Sequence, residues 1–365
     1  MDSVFLYEHF ITLDLWIALQ VVVLGLIGGI LSGFIGSGGA FFMTPGMMNL
    51  GVPGVVAVGS NIAHKFGKAM VGSRKHSELG NVDKRLGAFL IATSFIGIQI
   101  AVWINARLFQ ASGDGHGSGG SAAADLYISA VFVCVLSVVA LLMLRDVLSA
   151  RHREDEGRPS LKIADFLGRL NLRPCVSFPI ADVRVSFWVL MAVGLATGYL
   201  AGTIGVGGFI GVPSMIYVFG VPTAVAAGTE LYLAMYMGAW GALNYAVQGF
   251  VDIRLTMLMY LGSLVGIYVG VYGTKVVKEI VIRTVTGVVI LLCVVSRAVA
   301  MPAYLRQLGW IEMNPAWDAY FNSASKIMLF VAGISGCALI LYHVVKSYRE
   351  RLGIQHRLRE ARTST

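Results

Sequence analysis

The sequence predicts an all-α fold: a polytopic transmembrane helical bundle of two inverted repeats with broken or half helices. Three observations predict it, namely scarce charge, a series of long apolar runs, and a block of residues that recurs at one offset. The 365-residue chain is 56% hydrophobic and only 13% charged, with mean hydropathy +0.74. A soluble chain of this length needs more charge to hydrate its surface. The runs Leu15–Leu31, Leu86–Ile104, Leu126–Leu144, Val185–Ala201, Ala224–Val247, Ile253–Gly273, Val281–Val295 and Ile327–Val345 are almost free of charge. Most approach the roughly 20 residues that cross a bilayer core about 30 Å thick.

The recurring block has an offset of 169. It relates Gly33-Phe-Ile-Gly36-Ser37-Gly38-Gly39 to Gly202-Thr-Ile-Gly205-Val206-Gly207-Gly208. It also relates Gly51-Val52-Pro53 to Gly220-Val221-Pro222, Gly59-Ser60 to Gly228-Thr229, and Gly80 to Gly249. Asp83 and Arg85-Leu86 match Asp252 and Arg254-Leu255, and Gly97-Ile98 matches Gly266-Ile267. Pro45 and Pro213 align after a slip of one residue. A constant offset carried by Pro, Asp and Arg as well as Gly marks a duplication.

Each copy reads alike. An apolar helix (Leu15–Ser32; Val185–Ala201) runs into the glycine block. A short apolar segment follows (Ala40–Leu50; Phe209–Phe219) and ends at Gly-Val-Pro. Eleven helical residues cover only about 16 Å, so this segment is a half-helix or a re-entrant piece. A third helix starts after the proline, a fourth near Asp83 or Asp252, and a fifth follows (Leu126–Leu144; Val281–Val295). Ile327–Val345 is an extra C-terminal helix. Asp83 with Arg85, and Asp252 with Arg254, read as helix-start residues.

The basic residues set the orientation. His64–Arg85, Arg145–Arg184, Lys275–Arg283 and the tail from Lys346 are basic. The N-terminus is acidic, and Gln110–Asp125 has no Lys or Arg. The N-terminus is therefore expected outside and the C-terminus inside, with five segments per copy making the copies inverted. The expected division is 1–148 for the first repeat, 149–184 for a cytoplasmic loop, 185–347 for the second repeat with its extra helix, and 348–365 for a basic tail. Within the loop, Ile163, Phe166, Leu167 and Leu170 have the spacing of an amphipathic helix that lies on the cytoplasmic leaflet or packs on the protein. The N-terminus lacks the basic start of a cleavable signal peptide, and none is expected. The expected site is a bacterial inner (plasma) membrane.

Several functions are excluded. A net charge of +8 sits in loops and tail, with no basic domain for nucleic acid. The four cysteines, Cys134, Cys175, Cys293 and Cys337, form no CxxC pair and are expected as buried thiols. His116 lies in a flexible loop, and neither His64 nor His343 has a partner at metal-ligand spacing. No metal and no cofactor are expected. The glycine blocks lack the βαβ context of a dinucleotide loop.

The paired glycine breaks carry the functional signal. Broken helices in corresponding positions of two repeats mark a transporter's binding site. The short helices after the breaks offer N–H groups and dipole ends that suit an anion. The competing reading is close helix packing through small residues. The substrate-binding candidates are Gly36, Ser37, Gly38, Gly39, Ser60, Asn61, Gly205, Val206, Gly207, Gly208 and Thr229; Asn244 and Tyr245 are weaker ones. Glu230 lies in an apolar run, which makes it a candidate for coupling transport to protons, or for a pair with Lys65 or Lys68. A static structural hydrogen bond is the alternative. Lys65 and Lys68 are anion-attracting candidates at the inner mouth, or positive-inside anchors.

GFIGSGGAFFMTPGMMNLGVP and GTIGVGGFIGVPSMIYVFGVP, with the GSN and GTE turns after them, resemble the duplicated glycine–proline motif of the TauE/SafE sulfite exporter family, also called the toluenesulfonate uptake permease family. The resemblance runs from about Leu15 to Ala300. It implies an inner-membrane permease for sulfur-containing anions such as sulfite or organosulfonates, or for related small organic anions. It supplies no site residues. The chain departs from the pattern in its long inner loop and basic tail. The expectation is a secondary transporter whose partners are a small anionic substrate and the lipid bilayer, with protons or other ions as coupling partners and the oligomeric state open. A passive anion channel and a membrane-embedded enzyme are the alternatives.

Overall fold

A computed structural model describes residues 11–35, 39–111, 122–150, 173–205, 207–277 and 279–363. Among them are eleven α-helices and one hairpin. The helices are α1 (Leu15–Ile35), α2 (Ala40–Asn49), α3 (Gly54–Glu78), α4 (Lys84–Ala111) and α5 (Ala122–Ala150). After the hairpin β1 (Cys175–Phe178) and β2 (Val183–Ser186) come α6 (Phe187–Ile204) and α7 (Gly208–Pro213), which continues into a π-helical turn over Ser214–Val218. Then follow α8 (Thr223–Val247), α9 (Ile253–Val276), α10 (Glu279–Gln307) and α11 (Ala316–Thr363). Seven of these are long and apolar enough to cross a membrane: α1, α4, α5, α6, α9, α10 and α11. The chain is a multi-pass helical membrane protein.

Proline and glycine set the element ends. Pro53 and Pro222 directly precede α3 and α8, where a missing N–H costs nothing. Gly80 (φ 72°) and Gly249 (φ 77°) turn the chain after those helices. Asp83 Oδ1 then accepts the Leu86 N–H at 2.9 Å and Asp252 Oδ1 the Arg254 N–H at 2.9 Å, so both acids start helices as expected.

The helices pair across the two halves of the chain. α1 packs on α9, α4 on α6, α3 on α8, and α5 on α10. Glycines permit the first two contacts. Gly25, Gly29 and Gly33 lie against Met259, Ser263 and Ile267, while Gly194, Gly198 and Gly202 lie against Leu90, Ser94 and Ile98. Both helix pairs therefore run parallel, and every contact in one has its counterpart in the other at the offset of 169. α3 and α8 run antiparallel: Ile62 meets Gly241, Phe66 meets Gly238, and His76 meets Gly228. Two hydrogen bonds repeat the relation. The Asp252 N–H donates to Ser60 Oγ, and the Asp83 N–H donates to Thr229 Oγ1, both at 3.0 Å.

Some expectations shift. The loop before α6 contains the hairpin, which hydrophobic periodicity over so few residues does not reveal. Asp83 Oδ2 fixes it by accepting the Ala181 N–H at 3.1 Å, and Phe178 meets Phe89 edge-on. α10 extends to Gln307, and α11 runs from Ala316 through the basic tail without a break. Cys134 is exposed on the outer side of α5 instead of buried; Cys293 and Cys337 are buried and Cys175 partly so. The loop with His116 and the amphipathic segment at Ile163–Leu170 lie outside the described residues.

Candidate functional site

α3 brings three polar residues along one side: Asn61, Lys65 one turn later, and Lys68 nearly one turn beyond. Asn61 is fully buried. Its Nδ2 donates to the Ala40 carbonyl at 3.0 Å and to Thr44 Oγ1 at 2.8 Å. Thr44 in turn donates to the Ile204 carbonyl at 3.1 Å. One chain of hydrogen bonds thus joins α3, the half-helix α2 and the end of α6. Asn61 Oδ1 has no hydrogen-bond partner among the described residues. Thr44 was not foreseen; a lone Thr in an apolar segment carries no sequence signal of its own.

The break after α6 faces this chain. Gly205 ends α6 with φ 76°, a left-handed conformation that favours glycine. A side chain there would reach to 3.0 Å from Asn61 Nδ2 and 3.1 Å from Thr44 Oγ1. A Cβ on Gly207, two residues on, would lie 3.4 Å from Lys65 Nζ. Both glycines therefore let the backbone of the break approach these polar groups closely, Gly207 also packing against Ala201 and Met237. The N-cap residues of α2 and α7 are Gly39 and Gly207, which have no side chain to cap the first turn.

Glu230 of α8, the coupling candidate, lies beside Lys65. Lys65 Nζ lies 3.9 Å from its Oε1, with only 14% of the lysine side chain and 4% of the carboxylate side chain exposed. Neither carboxylate oxygen has a hydrogen-bond partner among the described residues. Glu230 Oε2 sits against Gly211 of α7, where a Cβ would clash with it. Charges this deep are costly unless paired. Lys65 and Glu230 offset one another, and half-buried Lys68 adds a second positive charge to the same side of α3.

Other candidates serve the scaffold. Ser60 and Thr229 are fully buried, and their hydroxyl oxygens take the N–H groups that start the fourth helices. Each therefore fixes the site residue next to it, Asn61 or Glu230. Gly39 is packed against the Gly28 carbonyl, and Gly208 is buried. Tyr245 accepts from Asn105 Nδ2 and donates to the Gly202 carbonyl, both at 2.7 Å, which ties α4, α6 and α8 together. Asn244 is on the exposed side and bonds the Trp240 carbonyl. His64 is fully buried and bonds Ser263 Oγ at 2.7 Å. Gly36, Ser37, Gly38 and Val206 lie outside the described residues. No cluster of three metal-ligating side chains occurs among the described residues.

A family model described as "Sulfite exporter TauE/SafE" matches residues 21–297, from α1 into α10. The chain is similar to "Probable membrane transporter protein YdhB" of Bacillus subtilis, at 23% identity over 72% of this chain and 93% of the relative. It is 26% identical to "Probable membrane transporter protein YjnA" of the same organism, over 69% of this chain and 89% of the relative. A "Probable membrane transporter protein" of Xylella fastidiosa is 27% identical over 66% and 78%. No solved structure matches the chain.

Proposed function

The chain belongs to the sulfite exporter TauE/SafE family and is a membrane transporter, not an enzyme; from that membership we propose that it is a secondary carrier for a small anion, a sulfur oxyanion or organosulfonate such as sulfite. The observation that carries this reading is Lys65. It lies inside the membrane-embedded bundle, one turn from Asn61, facing the glycines of a broken helix. An anion seated there would take the lysine ammonium, the amide of Asn61 and backbone N–H groups at the break. Thr44 would orient Asn61, and Lys68 would add positive potential.

Two copies of one unit in inverted orientation, bounded as the offset divides the chain, would build this carrier. The exchanged pairing of α1–α9 with α4–α6 supports that reading, and so does the antiparallel run of α3 and α8. Such a pair of units can rock about a fixed central site. The chain would sit in a bacterial inner membrane with its N-terminus outside and its basic helix end in the cytoplasm. Glu230 would couple the movement to protons, releasing Lys65 to the anion when it takes one up.

Flux into proteoliposomes tests the carrier. Labelled sulfite, sulfate, taurine and lactate are offered with and without a pH gradient. Uptake of at least one should saturate and show counterflow. Flux that follows the electrochemical gradient without saturation or counterflow would mean a channel.

A further inference from the structure

The hydrogen bonds of Asn61 fix which end of its amide a ligand meets. The Ala40 carbonyl oxygen can only accept, so the amide atom 3.0 Å from it is the donor Nδ2. The Thr44 hydroxyl gives its proton to the Ile204 carbonyl at 3.1 Å, so it accepts from Nδ2 at 2.8 Å. Both N–H groups of the amide are then used. Their partners are firmly placed. Every residue of α2 from Ala40 to Met48 is buried. At its far end, Nη1 of the buried Arg297 of α10 donates to Asn49 Oδ1 at 3.0 Å, and Ser325 Oγ of α11 donates to the same oxygen at 3.1 Å. Asn61 therefore offers a ligand an acceptor, its Oδ1, which is buried and has no partner among the described residues.

Glu230 repeats this feature from the other half of the chain. It stands at the offset of 169 from Asn61, beside Thr229 as Asn61 is beside Ser60. Both its carboxylate oxygens are buried without a hydrogen bond among the described residues. Lys65, whose counterpart at that offset is Ala234, lies one turn from Asn61 and 3.9 Å from Glu230. The cluster thus sets acceptors from both halves around a cation from one. An anion with oxygens alone satisfies Lys65 and leaves these acceptors unmet. A buried acceptor without a donor is disfavoured, and a ligand that brings a donor removes that penalty.

Resting on the reading of the polar cluster as the binding site, we infer that the preferred anion carries a hydrogen-bond donor of its own, accepted by Asn61 Oδ1 while Lys65 holds the negative end. The ligand class is a small hydroxy- or amino-substituted oxyanion. A sulfonate with a hydroxyl or ammonium group fits it, and so does sulfite in its singly protonated form. Sulfate, which has no proton at neutral pH, does not. Sites built to hydrogen-bond a ligand group reject the analogue that lacks it, because the site's own polar atom is then left unpaired.

Three two-carbon sulfonates test this: ethanesulfonate, isethionate and taurine differ only in whether the second carbon carries hydrogen, hydroxyl or ammonium. Their dissociation constants are measured by titration calorimetry on the full-length protein in detergent near neutral pH. Isethionate, taurine or both should bind about tenfold or more tighter than ethanesulfonate. Asn61→Ala should abolish that preference, and Lys65→Met should weaken all three. A smaller preference for both donor-bearing anions would mean that water meets Oδ1 instead and would overturn the inference, as would a full preference kept by folded Asn61→Ala. In either case the site itself stands if Lys65→Met still weakens binding. If Asn61→Ala does not fold, the wild-type ratios decide. Should none of the three bind, or should Lys65→Met leave them unaffected, the site reading fails and the donor requirement fails with it.

Discussion

Lys65 of α3 and Glu230 of α8 meet at 3.9 Å, an ion pair between the two halves of the chain in which, among the described residues, neither carboxylate oxygen has a hydrogen bond. The pair is long for an ion pair, and it is buried enough to matter when one partner is lost.

Lys65→Met should lower transport by about tenfold or more. It should also destabilise the protein by about 3 kcal/mol, because Glu230 is left as an unpaired buried charge. Lys65→Met with Glu230→Leu should recover the stability but not the transport. Denaturant titration in detergent and vesicle flux separate the two effects.

Glu230→Gln tests the coupling. If a proton travels with the anion, an inward acid gradient accelerates wild-type uptake. The glutamine variant, which cannot take up that proton, should respond little to the gradient. An equal response of both proteins would place the coupling elsewhere.

Ser60→Ala and Thr229→Val should destabilise by similar amounts, about 1–3 kcal/mol each, since each leaves one buried N–H unsatisfied. The N–H groups belong to Asp252 and Asp83. Markedly unequal losses, read from thermal unfolding, would show that the two halves are not built alike at these points.

Gly29→Val and Gly198→Val should each cost about 1–3 kcal/mol or more through overpacking. Both glycines lie against a facing backbone, at Ser263 and Ser94. Gly80→Ala meets open space and should cost only about 1–2 kcal/mol, from its left-handed φ. Unfolding midpoints of the three variants check the contrast.

Much of the fold was legible because membrane helices and half-helices announce themselves by length and by Gly-Pro boundaries. The short segments after the breaks, the helix starts at Asp83 and Asp252, and a pairing of Glu230 with a first-half lysine were all readable in residue order. The hairpin at Cys175–Ser186 was not, because four-residue strands carry little periodicity. Thr44 and Arg297 were missed for a different reason. Thr44 is one hydroxyl in an apolar stretch, and Arg297 at the end of one reads as a boundary. Only the packing of α2 against α3, α6, α10 and α11 gives either of them a partner.

The parallel contact between α1 and α9 bears on biogenesis. α1 is made before its partner: the helix its glycines fit against emerges more than two hundred residues later. At ribosomal speeds of about 5–20 residues per second, it waits roughly 10–50 s with its close-fitting side facing lipid or an insertion chaperone. Truncated chains that stop before Ile253 should therefore leave α1 unsheltered and prone to degradation, however well α4 and α6 have already docked.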